Sequence, residues 1–216
     1  MYKYAIFDLD GTLADTLEDL ANAVNYALDK NGFEKYPISS YKQMVGSGIV
    51  NLIKKATGCE DDKTVLAVKS DFDNYYKVHA VDNTCAYPGE EEMLTNLQSK
   101  GVVLAVLSNK PDAFVKSILD KIFPKVEFKM AWGKKEGFAI KPDPQSLNAM
   151  LAELNADKES TVYVGDSNVD VYTAQNGEVG FIGCSWGFRG ENELIEAGAD
   201  KVAHNCEELE SMILGE

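Results

Sequence analysis

The sequence predicts an α/β protein: a parallel sheet with helices on both faces, interrupted after its first strand by an all-helical insert. Three observations carry this. Short apolar runs alternate with helical patterns along most of the chain, which is the pattern of strand–helix–strand units. The first run ends in Asp8-Leu9-Asp10-Gly11, polar residues where a buried strand meets a site. Residues 15–86 then break the alternation with helical spacing throughout.

The elements follow in order. Residues 4–9 form an apolar run that reads as a buried parallel strand. In the insert, Leu17, Leu20, Ala21, Val24 and Leu28 recur at helical spacing. So do Ile49, Leu52, Ile53 and Ala56, and then Val65, Val68, Phe72 and Tyr76. Tyr87-Pro88-Gly89 is a turn signal, after which the alternation resumes. Residues 91–100 read as a helix stopped by Gly101, and 102–107 as a second buried strand. A helix over 111–121 begins with Pro111 in its first turn. Residues 126–131 alternate as a short strand. A helix over 143–154 has Asp143 as N-cap and Pro144 just inside. Strand 161–164, helix 170–176, strand 180–183 and helix 207–214 complete the chain. The expected division is a core of 1–14 and 87–216 with a cap of 15–86 inserted in it.

Composition narrows the function. The 216 residues are 45% hydrophobic and 26% charged, the balance of a globular protein. No apolar run nears the ~20 residues of a membrane span, and the N-terminus lacks a basic and apolar leader. A cytoplasmic protein is expected. The net charge of -14 disfavours nucleic acid and anionic membrane as partners. An anionic small molecule remains compatible, because a metal ion and a few lysines reverse the sign within one pocket. Cys59, Cys85, Cys184 and Cys206 form no C-x-x-C pair and read as free thiols. Charge does not discriminate monomer from homodimer.

Chemistry-bearing residues collect where strands end. In an open parallel sheet, ligands bind beyond the carboxyl ends of the strands. The first strand leads to Asp8, Asp10 and Thr12, and the second to Ser108-Asn109-Lys110. Lys141 precedes the 143–154 helix, and strand 161–164 leads to Gly165-Asp166 and Asp170. This set suits phosphoryl transfer with a hard cation. Asp8 and Asp166 offer oxygen ligands for Mg²⁺. A carboxylate can attack phosphorus, and a cation removes its repulsion from the phosphate. Asp10 is placed to protonate the leaving alcohol and then to deprotonate water. Ser108 and Lys141 suit the equatorial oxygens of the phosphoryl group.

These motifs, in this order, resemble the haloacid dehalogenase-like superfamily of hydrolases and, within it, the phosphoglycolate phosphatase-like branch. Asp8-Leu9-Asp10-Gly11-Thr12, Ser108, Lys141 and Gly165-Asp166 with Asp170 carry the resemblance. Tyr87-Pro88-Gly89, Ser108-Asn109-Lys110-Pro111 and Trp186-Gly187-Phe188-Arg189 point to the branch. The resemblance implies a Rossmann-like core with a helical cap. It implies Asp8 as nucleophile and Asp10 as acid/base. It also implies Mg²⁺ on the Asp8 carboxylate, the Asp10 carbonyl and Asp166, with Asp170 behind them. Thr12 and Asn109 are expected to contact substrate.

In the cap, Gly46-Ser47-Gly48 opens a helix whose free N–H groups favour an anion. The resemblance implies that such a segment meets the leaving group, and it suits a small acid such as glycolate. Whether Lys54 or Lys55 joins it stays open. The leading expectation is hydrolysis of 2-phosphoglycolate to glycolate through an aspartyl-phosphate. Pyrophosphate, a nucleoside monophosphate or a sugar phosphate use the same catalytic residues. An isomerase like β-phosphoglucomutase must hold a second phosphate in the cap, and the cap has no arginine for it. Trp186 and Phe188 read as core residues rather than substrate contacts, and an ordinary surface charge is one reading of Arg189.

Overall fold

The computed structural model describes residues Met1–Glu216. Strand β1 (Tyr4–Phe7) leads through a tight loop to β2 (Ala14–Asp15). The insert follows as α1 (Leu17–Lys30), a 3-10 turn (Ile38–Gln43), α2 (Ile49–Thr57) and α3 (Asp62–His79). The chain returns through β3 (Cys85–Ala86) to α4 (Glu90–Ser99), β4 (Val103–Pro111) and α5 (Asp112–Ile122). Then come β5 (Met130–Lys134), α6 (Gln145–Leu154), β6 (Thr161–Gly165), α7 (Asn168–Gly177) and β7 (Gly180–Cys184). The last elements are α8 (Glu191–Glu196), β8 (Val202–Ala203) and α9 (Cys206–Leu214).

Six strands form one parallel sheet in the order β5-β4-β1-β6-β7-β8. Side chains alternate between its faces. Ala5 and Phe7 of β1, with Leu104 and Val106 of β4, enter a 24-residue apolar cluster beneath α4, α5 and α9. Ile6, Ala105 and Tyr163 face the other way, onto Leu147, Met150 and Ala174 of α6 and α7. Helices on both faces explain why β1 is apolar at every position rather than at alternate ones.

Register sets the site. Phe7 pairs with Val106 on one side and Val164 on the other. Asp8, Leu107 and Gly165 therefore share the next level, and Asp8 N–H donates to Val164 O at 2.9 Å. Asp8, Ser108 and Asp166 come to one edge because the register of three adjacent strands sets them within one residue of the same level.

The insert has its own core, from Leu20 and Val24 of α1 to Phe72 and Tyr76 of α3, joined by Phe188 from outside it. A two-residue antiparallel ladder, Ala14 with Ala86 and Asp15 with Cys85, closes its entry and exit. Asp19 buttresses that junction. Its buried carboxylate accepts hydrogen bonds from Asn83 N and Nδ2 and from Thr84 N and Oγ1, at 2.7–3.0 Å.

Several expected boundaries move. The strand expected at 126–131 lies at Met130–Lys134. Val126 and Phe128 alternate like strand residues, but Val126 N–H bonds Phe123 O in a turn, and both side chains pack against the core from a loop. The helix expected from Asp143 starts at Gln145, because Pro144 O accepts its first bond, from Asn148 N. Asp143 Oδ1 instead takes the Gln145 N–H at 2.8 Å. Helix α7 starts two residues early, at Asn168. Asp170 Oδ2 there accepts from Ser167 N and Oγ, closing its first turn. Strand β4 runs on to Pro111. The strands β2, β3 and β8, and the six-residue α8, are too short to show a period. No helix is long and apolar enough to cross a membrane.

Candidate active site

Asp8 stands at the centre, 7% exposed. Lys141 Nζ lies 3.0 Å from Asp8 Oδ1 and 2.7 Å from Asp170 Oδ1. Lys141 Nζ also donates to the Tyr163 hydroxyl at 2.8 Å, which donates in turn to Leu107 O at 2.6 Å. Asp8 Oδ1 is buried, and the Lys141 ammonium is the one close partner it has. Burial raises the Asp8 carboxyl, Lys141 pulls it back, and Asp170 and Asp10 raise it again, leaving it at about 6. Burial pushes Asp166 well above the usual carboxylate range, helped by Asp170 and Asp8. Burial would lower the Lys141 ammonium, but the Asp170 and Asp8 carboxylates outweigh it and hold it well up.

Three buried carboxylates around one ammonium lack positive charge. Carboxylate oxygens of Asp8, Asp166 and Asp170 lie within 4.8 Å of one another. Hard oxygen donors, few in number, match Mg²⁺. Asp170 is already engaged through both oxygens, by Lys141 and by Ser167. Asp8 and Asp166 are less committed, Asp8 to Lys141 alone and Asp166 to one short bond and one long one, so these two could hold such an ion. Asp166 Oδ2 is set by the Phe188 N–H at 2.7 Å, and Oδ1 is 3.4 Å from Thr12 Oγ1. Gly11 and Gly187 make room for this carboxylate, since a Cβ at either position would collide with Asp166.

The Asp10 side chain serves a second cluster. Its Oδ1 accepts from Thr16 Oγ1 at 2.6 Å and from Lys110 Nζ at 2.8 Å. Lys110 is buried, and its ammonium lies 4.8 Å from the centre of the Tyr76 ring of α3. Burial alone would lower that ammonium, but Asp10 and Tyr76 outweigh it and raise it. A single lysine thus touches Asp10 and the insert together.

A cavity of about 40 Å³ separates the sheet edge from the insert. Asp8, Asp10, Ser108, Asn109 and Lys110 form its floor, and Val45, Gly46, Gly48, Ile49, Leu52 and Tyr76 wall it from the insert. Ser108 Oγ accepts from Lys110 N at 3.3 Å, which leaves its O–H to donate. The expected residues divide accordingly. Asp8, Asp10, Ser108, Asn109, Gly46 and Gly48 meet at the cavity. Ser47 does not line it and faces a separate outer groove with Lys54 and Lys55. Lys54 is paired with Glu60 at 2.6 Å, and Lys55 lies near Gln43 O and Met44 O. Thr12 faces Asp166. The Asn109 amide is committed to the protein: Nδ2 donates to Gly46 O and Lys141 O, and Oδ1 accepts from Lys141 N.

Three roles escape the sequence reading. Lys110 carries no signal beyond its place after Ser108-Asn109. Phe188 is buried, as expected, but in the core of the insert rather than in the sheet's own core. Arg189 is not a free surface charge: its side chain is 11% exposed and hydrogen-bonded to the insert.

A parallel α/β fold with an acidic cluster and a buried lysine at the carboxyl edge of its sheet, under a helical insert, defines a class of hydrolases. The family model for haloacid dehalogenase-like hydrolase matches residues 5–184, and the chain belongs to that family. It is 32% identical over 216 residues to a phosphoglycolate phosphatase of Haemophilus influenzae, covering 96% of each chain. It is 30% identical over 214 residues to a phosphoglycolate phosphatase of Pseudomonas fluorescens, covering 96% of this chain and 78% of that one. Among solved structures, that of a proposed phosphoglycolate phosphatase from Lactobacillus delbrueckii subsp. bulgaricus superposes with a TM-score of 0.92. It is 35% identical, and the match covers 100% of this chain and 99% of that one.

Proposed function

We propose that the protein is a Mg²⁺-dependent phosphatase of small phosphomonoesters, with 2-phosphoglycolate as the foremost substrate. The observation that carries this is Asp8: a buried carboxylate at the floor of the cavity, paired with the Lys141 ammonium and with two further carboxylates beside it. The names of the relatives support the substrate.

In this reading Asp8 attacks phosphorus, and the bond from phosphorus to the ester oxygen breaks. Asp10 gives its proton to the departing alkoxide. It then takes a proton from water, which attacks phosphorus and breaks the bond to Asp8, releasing phosphate. Asp10 is suited to this, because Thr16 and Lys110 fix Oδ1 and leave Oδ2 free of hydrogen bonds within the protein. Ser108 donates to a phosphoryl oxygen. Lys141 holds Asp8 and Asp170 in place and offsets part of their charge. Mg²⁺, when bound by Asp8 and Asp166, screens nucleophile from phosphate and withdraws charge from the phosphoryl oxygens.

Gly46, Gly48 and Ile49 bring the N-terminal end of α2 to the cavity, which favours an acidic leaving group such as glycolate. A volume of about 40 Å³ holds only a few waters. In this reading the insert opens to admit an ester and closes to exclude water, with the β2–β3 junction as hinge. The test is phosphate release from a panel of esters, with and without Mg²⁺ and with Asp8→Asn as control. The reading requires Mg²⁺-dependent release that the variant lacks, with kcat/KM highest for 2-phosphoglycolate. Release without Mg²⁺, or by the variant, overturns the mechanism; a different preferred ester overturns the substrate.

A further inference from the structure

Arg189 is the only arginine of the chain, and it reaches from the core to the insert. Its Nη2 donates to Val45 O at 2.8 Å and its Nη1 to Gln43 Oε1 at 2.7 Å. Glu193, one turn along α8, lies 3.4 Å from Nη1 and braces the guanidinium. Val45 and its neighbour Gly46 wall the cavity, and Gly46 O is held from β4 by Asn109 Nδ2 at 3.0 Å. Two core side chains thus grip adjacent peptide units of one loop. That loop needs gripping, because Gly46 and Gly48 have φ of 115° and 81°, conformations with little steric preference of their own. On the other side of Arg189, the Phe188 N–H bonds Asp166 while its ring is buried in the insert's core.

We propose that Arg189 is a positioning residue for substrate selection: it fixes the 43–48 loop over the catalytic aspartates, and the placement of that loop decides which leaving groups fit. The selection role rests on the phosphatase reading and deepens it. A planar guanidinium holds a side-chain amide and a backbone carbonyl at once, in fixed geometry. Lysine keeps the charge and loses that geometry.

The test compares wild type with Arg189→Ala, Arg189→Lys and Gln43→Ala, the last removing one contact without touching the core. Hydrogen exchange in Arg189→Ala should speed up about tenfold or more over residues 43–48 and stay unchanged in β1, β4 and β6. The ratio of kcat/KM for 2-phosphoglycolate to that for methyl phosphate should fall about tenfold, through KM rather than kcat. Arg189→Lys should fail to restore it, and Gln43→Ala should fall between. Unchanged exchange overturns the proposal, as does an equal loss for both esters. If wild type hydrolyses neither ester, the phosphatase reading fails and the selection role with it. The exchange result still decides whether Arg189 holds the loop.

Discussion

Replacing Asp8 with asparagine should stabilise the metal-free protein while ending turnover. Asp8 is 7% exposed, and its carboxyl is raised from 3.8 to about 6, by burial first and with Lys141 opposing. A folded-state value above the unfolded one means that the folded protein binds the proton more tightly. That stabilisation is full below pH 3.8 and is lost as pH rises through about 6. The rise from 3.8 to about 6 corresponds to about 3 kcal/mol above pH 7. Asparagine has nearly the same shape and no proton to lose. Its advantage over wild type should therefore grow from near zero at pH 4 to about 3 kcal/mol at pH 8. For a chain of this size that is roughly 6–12 °C in Tm. The assay is thermal or urea unfolding of both proteins in EDTA across that range. Added Mg²⁺ should narrow the gap, because an ion bound only by the folded wild type stabilises it. A pH-independent difference, or an asparagine variant less stable at pH 8, would refute the reasoning.

Three other outcomes are expected. Glu90 is buried, neither of its oxygens has a partner, and burial pushes its carboxyl well up. Glu90→Met should add about 1–3 kcal/mol at neutral pH in urea titrations, with the gain shrinking as the pH is lowered; a loss would show that the carboxyl is satisfied. Asp19→Ala removes every bond to Asn83 and Thr84 and should cost about 2–4 kcal/mol, with faster hydrogen exchange at 83–86; unchanged exchange there would remove Asp19 from the hinge. Gly187→Ala forces a Cβ onto Asp166 and Gly11 O and should weaken Mg²⁺ activation about 10–100-fold; wild-type activation would mean that Asp166 is not a ligand.

The sheet was legible because β1, β4 and β6 are continuous apolar runs, each followed at once by polar residues. The same feature brought Asp8, Ser108 and Asp166 together, since residues just past the last level paired with β1 come to one edge. Periodicity also marked α1, α2 and α3, whose buried faces match the apolar spacing. What failed was tertiary. Val126 and Phe128 alternate without pairing, because alternation reports which side chains are apolar and not whether a ladder forms. Nothing local distinguishes Lys110, paired inside with Asp10, from Lys54, paired outside with Glu60. Ser47 lies between two glycines that line the cavity, yet itself lines only the neighbouring grooves. Arg189 acts on residues more than 140 positions earlier, a distance no spacing rule spans.

The central claim is that Asp8 carries the phosphoryl group, and trapping tests it most directly. Wild type would be mixed with 2-phosphoglycolate and Mg²⁺, quenched in acid during turnover and reduced with borohydride. Peptide mass spectrometry would then locate any acyl-phosphate as homoserine. Homoserine is expected at residue 8, and none in samples lacking Mg²⁺ or substrate. Efficient turnover with no reduced residue, or with the label on another carboxylate, would contradict it.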